Sequence, residues 1–129
     1  MRTPEEILRY ARTIALVGAS PDPSRASNRV MAYLLSVGYR VLPVNPRADE
    51  VLGVPCAASL AELGEPVDVV DVFRRSERCA ETAREAAAAG AGALWLQLGI
   101  RSDEARQVAG EAGMDYVEDA CTAIVHRRL

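Results

Sequence analysis

The sequence contains no lysine, and all fifteen of its basic residues are arginine. Because Asp and Glu number 18, the formal net charge is -3, so a nucleic-acid-binding surface, which needs clustered positive charge, has no support. No apolar run approaches the roughly twenty residues that a membrane-spanning helix requires. We therefore predict neither a nucleic acid nor a membrane as a partner, and the sequence indicates no particular protein partner.

Cysteine and histidine are also scarce. Cys56, Cys79 and Cys121 form an odd set without Cys-x-x-Cys spacing, which predicts reduced thiols rather than a disulfide or a zinc site. The first residues, Met-Arg-Thr-Pro-Glu-Glu, do not resemble a signal peptide, so we expect a cytoplasmic protein. His126 is the only histidine and is predicted to lie on the surface. Since no nucleophile has an identifiable base, we predict no catalytic residue.

Half of the residues are hydrophobic, and they form short apolar runs separated by helical patterns. Strands are predicted at residues 14–17, 39–44, 67–73, 93–98 and 114–117, with a further short strand near 51–54. Helices are predicted at residues 4–10, 26–38, 60–63, 76–90 and 103–112, with a last helical turn near Cys121. This alternation predicts one α/β domain spanning residues 1–129. Its fold is a doubly wound, Rossmann-like parallel sheet of about five strands with helices on both faces.

Capping residues support several of these boundaries. Thr3 and Glu6 form a predicted capping box around Pro4, and Ser59, Ser76 and Ser102 are predicted N-caps. Asp71 is predicted at the end of its strand, where its carboxylate would hold a loop.

The first strand is followed by a turn of small residues and then a helix. Gly18, Ala19 and Ser20 form the start of this turn. A helix N-terminus offers free N–H groups and a favourable dipole to a phosphate, and glycine lets a pyrophosphate approach the backbone. Only one glycine of the G-x-G-x-x-G fingerprint is present, so an ordinary strand-to-helix turn remains an alternative.

The end of the second strand does not carry the acid expected for NAD. Asn45, Pro46 and Arg47 stand where that acid would bind the ribose 2′-hydroxyl. Arg25, Arg74 and Arg75 are predicted to converge with Arg47 on one crevice. Four cations there suit a nucleotide with an extra ribose phosphate, which is 2′ in NADP and 3′ in coenzyme A.

Four strand-end motifs carry a resemblance to a known family. They are Val17-Gly18-Ala19-Ser20, Pro43-Val44-Asn45-Pro46, Asp71-Val72-Phe73-Arg74 and Trp95-Leu96-Gln97-Leu98-Gly99. These segments resemble the small stand-alone CoA-binding proteins, relatives of the N-terminal CoA-binding domain of the succinyl-CoA synthetase α subunit. The resemblance covers nearly the whole chain and implies that the ligand is coenzyme A or an acyl-CoA.

The resemblance also implies roles for individual residues. Gly18, Ala19 and Ser20 would hold the pyrophosphate, and Arg25 and Arg47 would contact phosphates. The adenosine end would be bounded by Val44, Asn45 and Pro46. Val72, Phe73 and Arg74 would line the nucleotide or the start of the pantetheine arm. Gln97 and Gly99 would flank that arm further out, and Cys121 falls near a cysteine of the synthetase.

The resemblance has limits, and two alternatives stay open. The synthetase uses a phosphorylated histidine in a second domain that these 129 residues do not include, so we expect binding or sensing rather than ligase activity. An NADP-linked oxidoreductase is the enzyme alternative, although the sequence lacks a catalytic Tyr/Lys pair. A module that senses nucleotide state through a partner chain is the other alternative.

Overall fold

The computed structural model describes all 129 residues, which form five α-helices and seven β-strands. The helices are α1 (Pro4–Tyr10), α2 (Ala26–Ser36), α3 (Ser76–Ala88), α4 (Asp103–Glu111) and α5 (Thr122–His126). The strands are β1 (Thr13–Val17), β2 (Arg40–Val44), β3 (Glu50–Val51), β4 (Val54–Pro55), β5 (Val69–Val72), β6 (Ala93–Leu96) and β7 (Asp115–Val117). No helix has both the length and the apolar character needed to cross a membrane.

The main sheet has five parallel strands in the order β2-β1-β5-β6-β7. This confirms the predicted doubly wound α/β fold. The chain leaves β1 toward β2 on one side and later returns to add β5 on the other. The strand order therefore reverses between β1 and β5, and the crevice at such a switch point is where ligands bind in open α/β sheets.

Alternating strand residues divide the core into two layers. Ile14 and Leu16 of β1 pack toward α1, α2 and α5, whereas Ala15 and Val17 pack toward α3 and α4. All four side chains are at most 5% exposed, which explains why the strand reads as an uninterrupted apolar run.

Local details differ from the sequence predictions in three places. Residues 51–54 form a hairpin of β3 and β4 with a turn at Leu52 and Gly53, rather than a single strand. The predicted helix at residues 60–63 is a 3₁₀ turn, and Ser59 makes no capping bond there. Ser76 is the first residue of α3 rather than its N-cap, which is Arg75, and the Ser76 hydroxyl oxygen accepts the N–H of Arg101 at 3.3 Å. The capping box of Thr3 and Glu6 and the Ser102 N-cap are confirmed.

The strand-end position predicted for Asp71 is wrong. Asp71 lies within β5 and has no exposed surface. Its carboxylate accepts the Gln97 amide N–H at 2.5 Å and the Thr122 hydroxyl at 3.1 Å, and the same Gln97 amide donates to Thr122 at 3.0 Å. This closed ring of hydrogen bonds joins β5 to the end of β6 and the start of α5. No cation compensates the carboxylate, so burial raises the pKa of Asp71 to about 7.

The surface position predicted for His126 is also wrong. Its imidazole is half-buried, and its Nδ1 atom lies 2.7 Å from the Tyr33 hydroxyl. The ring also packs edge-on against Tyr33 and Tyr39. His126 therefore anchors α5 against α2, and it lies outside both cavities described below.

We expect Asp71 to make stability depend on pH. Between about pH 4 and pH 7 the folded protein holds a proton on Asp71 that the unfolded chain releases, so stability falls as pH rises through this interval. Asp71→Asn removes this titration. The difference in unfolding free energy between wild type and variant should then change by at most about 1.4 kcal/mol per pH unit. Urea unfolding across the interval measures it, and parallel stability curves would contradict the prediction.

Candidate functional site

The candidate site lies at the switch point, where the ends of β1 and β5 meet. Gly18 follows β1 with a φ of +87°, which favours glycine. A Cβ atom at Gly18 would lie 2.4 Å from the carbonyl oxygen of Phe73, the residue after β5. Glycine is therefore required because the two strand ends pack backbone to backbone, a constraint that the sequence could not show.

The turn after β1 is held by two side-chain amides. Asn45 donates to the Ala19 carbonyl at 2.7 Å, and Asn28 donates to the Ser20 carbonyl at 3.0 Å. The N–H groups of Gly18 and Ala19 both point to the Val44 carbonyl oxygen, at 3.0 and 3.4 Å. The backbone donors of the first two turn residues are thus already used within the protein.

Three other N–H groups have no partner. They belong to Ser20 and to the first two residues of α2, Ala26 and Ser27. All three residues line one small cavity beside the turn, together with Arg25 and Phe73. Free N–H groups at the positive end of an 11-residue helix, next to a guanidinium, make this cavity suited to an anion.

A carboxylate shapes the same turn. Asp22 accepts the backbone N–H of Ser24 at 2.9 Å and its hydroxyl at 2.8 Å. These hydrogen bonds to the charged form lower the pKa of Asp22. The Asp22 backbone N–H donates in turn to the Ser20 hydroxyl at 3.1 Å, so the chain entering α2 is fixed by its own side chains.

A larger cavity of about 450 Å³ adjoins the first and shares Gly18 and Asn45 with it. It lies between the end of β2, the segment that precedes the 3₁₀ turn, and α3. Its lining includes four apolar residues and three arginines, namely Val17, Val44, Pro46, Leu60, Arg47, Arg74 and Arg78.

The arginines of this crevice are poorly neutralised. Arg25, Arg47 and Arg74 form no ion pair with an acid, and Arg78 has only an exposed contact with Glu81 at 3.6 Å. Arg74 is held in place because its guanidinium donates to the buried Thr82 hydroxyl at 3.3 Å. Cations without carboxylate partners around a concave surface favour an anionic ligand.

The structure brings most of the predicted site residues together. The two cavities are lined by ten of them: Gly18, Ala19, Ser20, Arg25, Val44, Asn45, Pro46, Arg47, Phe73 and Arg74. Three others line neither cavity. Val72 is buried in the sheet, Gln97 is bonded to Asp71 and 3% exposed, and Gly99 lies on an exposed loop.

The predicted convergence of Arg75 is wrong. Arg75 occupies the N-cap of α3, is exposed, and lines neither cavity. Sequence reasoning instead missed Arg78, which lies in the first turn of α3 and lines the larger cavity. It also missed Ser59, Leu60 and Glu85 of the larger cavity, although Glu85 continues the face of Arg78 at i+7.

Comparison with known proteins identifies close relatives of similar length. A family model described as a CoA binding domain matches residues 12–127. The "Uncharacterized protein YneT" of Bacillus subtilis is 40% identical over 122 residues, which is 95% of this chain and 90% of that protein. A hypothetical protein from Pyrococcus horikoshii has a solved structure with 41% identity and a TM-score of 0.94, covering 99% of this chain and 92% of that one.

Larger enzymes share part of the sequence. An ADP-forming acetate–CoA ligase of Archaeoglobus fulgidus is 38% identical over 64 residues, which is 50% of this chain and only 9% of the ligase. The structure of a dinucleotide-forming acetyl-coenzyme A synthetase from Ca. Korarchaeum cryptofilum has 28% identity and a TM-score of 0.78, covering 88% of this chain and 27% of that one. With the family model matching nearly the entire sequence, the protein belongs to the CoA binding domain family.

Proposed function

We propose that this protein binds coenzyme A or an acyl-CoA at the switch point and acts by binding or sensing rather than by catalysis. The observation that carries the proposal is the set of unpartnered donors around the crevice. The N–H groups of Ser20, Ala26 and Ser27 have no partner, and these residues line one cavity, whereas Arg47, which forms no ion pair, lines the next. Membership of the CoA binding domain family supports the same ligand class.

Each part of coenzyme A has a matching group in this arrangement. The pyrophosphate would occupy the small cavity, where the free N–H groups and Arg25 lie. The adenosine and its 3′-phosphate would occupy the larger cavity, with Val44 and Pro46 as apolar walls and Arg47 and Arg74 as phosphate partners. The pantetheine arm would then leave past Phe73.

The cavity lining supports binding rather than chemistry. Neither cavity is lined by a histidine, cysteine or lysine, and no serine hydroxyl of either lining donates a hydrogen bond to a base. A thermal-shift panel of CoA, acetyl-CoA, dephospho-CoA, NADPH, NADH and ADP tests the ligand class. Coenzyme A at a hundred times its dissociation constant should stabilise the protein by about 2.7 kcal/mol. A shift with NADPH and none with any CoA compound would contradict the proposal.

Ala26→Pro should weaken CoA binding without unfolding the protein. Ala26 is the first residue of α2, where proline is tolerated, and Arg25 before it has the extended backbone that proline requires. The change removes one free N–H donor from the small cavity. Hydrogen bonds to charged groups contribute about 1.5–3 kcal/mol, so affinity should fall roughly ten- to a hundredfold.

Calorimetry with CoA measures this effect. Asp103→Pro is the matched control, because Asp103 is the first residue of α4 and lines neither cavity. It should leave CoA affinity unchanged. Equal effects of the two variants, or none from Ala26→Pro in a folded protein, would remove the α2 N-terminus from the site.

Arg47→Ala and Arg25→Ala should separate the two phosphate positions. Because Arg47 lies in the larger cavity, Arg47→Ala should weaken CoA about ten- to a hundredfold and leave dephospho-CoA, which lacks the 3′-phosphate, nearly unaffected. Arg25 lies in the small cavity beside the pyrophosphate that both ligands share, so Arg25→Ala should weaken both about equally. If Arg47→Ala weakens both ligands alike, Arg47 is not the 3′-phosphate contact.

A further inference from the structure

The lining of the larger cavity includes three arginines and a single carboxylate. That carboxylate belongs to Glu85, which is half-buried and has no ion-pair or hydrogen-bond partner. Arg84, its neighbour in sequence, pairs instead with Glu104 on α4 at 3.4 Å. A carboxylate without a partner is unfavourable in a cavity that binds only phosphate, so Glu85 needs its own explanation.

Helix geometry sets the spacing between Glu85 and one of the three arginines, Arg78. Arg78 and Glu85 are seven residues apart on α3, which places them on the same face and about 10 Å apart along the helix axis. A ligand that contacts both must carry an anionic group at one end and a hydrogen-bond donor at the other. A nucleoside with a phosphorylated ribose has this form when its base carries an exocyclic amine.

Other residues of the cavity lining suit a planar ring. Leu60 lines the cavity with a side chain that is 4% exposed, and Ser59 beside it carries a hydroxyl that makes no capping bond. Glu85 faces the same space from α3. An apolar surface with free polar groups at its edges is the usual composition of a site for a heterocyclic base.

We propose that Glu85 is a specificity-determining residue that recognises adenine by accepting a hydrogen bond from its exocyclic amine. This inference rests on the proposed binding of CoA, because it assumes that the nucleotide occupies the larger cavity. An ionised carboxylate only accepts hydrogen bonds, so it favours a base with an amine at this position over a base without one.

The sign of the effect of Glu85→Ala on CoA affinity separates recognition from simple proximity. If Glu85 merely lay near the ligand, its negative charge would repel the phosphates, and its removal would strengthen CoA binding. If it accepts the amine, its removal should weaken CoA binding about ten- to a hundredfold. Alanine also suits the interior of α3, so the variant should fold.

The experiment measures CoA affinity by calorimetry in wild type, Glu85→Ala and the control Glu77→Ala. Glu77 is an exposed carboxylate on the same helix that lines neither cavity. The same proteins are titrated with adenosine 3′,5′-bisphosphate and with its purine riboside analogue, which lacks only the amine. We expect wild type and Glu77→Ala to prefer the adenine compound about ten- to a hundredfold, and Glu85→Ala to bind the two about equally.

The outcomes distinguish this inference from the function on which it rests. If wild type binds CoA but Glu85→Ala binds it equally or more tightly, or keeps the preference for the amine, the assignment of Glu85 is overturned and CoA binding stands. If wild type binds neither CoA nor the bisphosphate, the proposed function and the inference both fail.

Discussion

The close packing of the backbone at Gly18 against the backbone at Phe73 is the constraint on which the site depends. A Cβ atom at Gly18 would lie 2.4 Å from the Phe73 carbonyl oxygen, so the ends of β1 and β5 meet only because glycine stands there. These are the two strands between which the strand order reverses. The contact fixes where the turn after β1 begins, and hence where α2 starts and which of its N–H groups stay free.

The two phosphate-binding regions that we propose differ in how they are built. Around the small cavity the donors are mainly backbone groups, fixed by amide side chains such as Asn45, which donates to the Ala19 carbonyl. In the larger cavity the donors are guanidinium groups, of which Arg74 is positioned by the buried Thr82. The first kind of site recognises a phosphate with little side-chain entropy to lose, and the second distinguishes ligands by an additional phosphate.

Much of the fold and the position of the candidate site could be predicted from the sequence. Strands buried on both faces read as apolar runs, and their carboxyl ends must meet at one edge of the sheet. Sequence patterns could not show which backbone N–H groups the fold leaves without a partner. Gly18 and Ala19 share a carbonyl acceptor on the neighbouring strand β2, a long-range contact without a local signal. Nor could they show that Asp71 is buried in a hydrogen-bonded ring with Gln97 and Thr122, since those partners are distant in sequence.

A titration of ¹⁵N-labelled protein with CoA, followed by amide chemical shifts, tests the central claim most directly. If CoA binds at the switch point, the amides of Ser20, Ala26 and Ser27 should show the largest saturable changes. The Nε–H signals of Arg47 and Arg74 should move with the same affinity. Changes confined to the opposite end of the sheet, around Gly38 and His126, or no saturable change at all, would contradict the account.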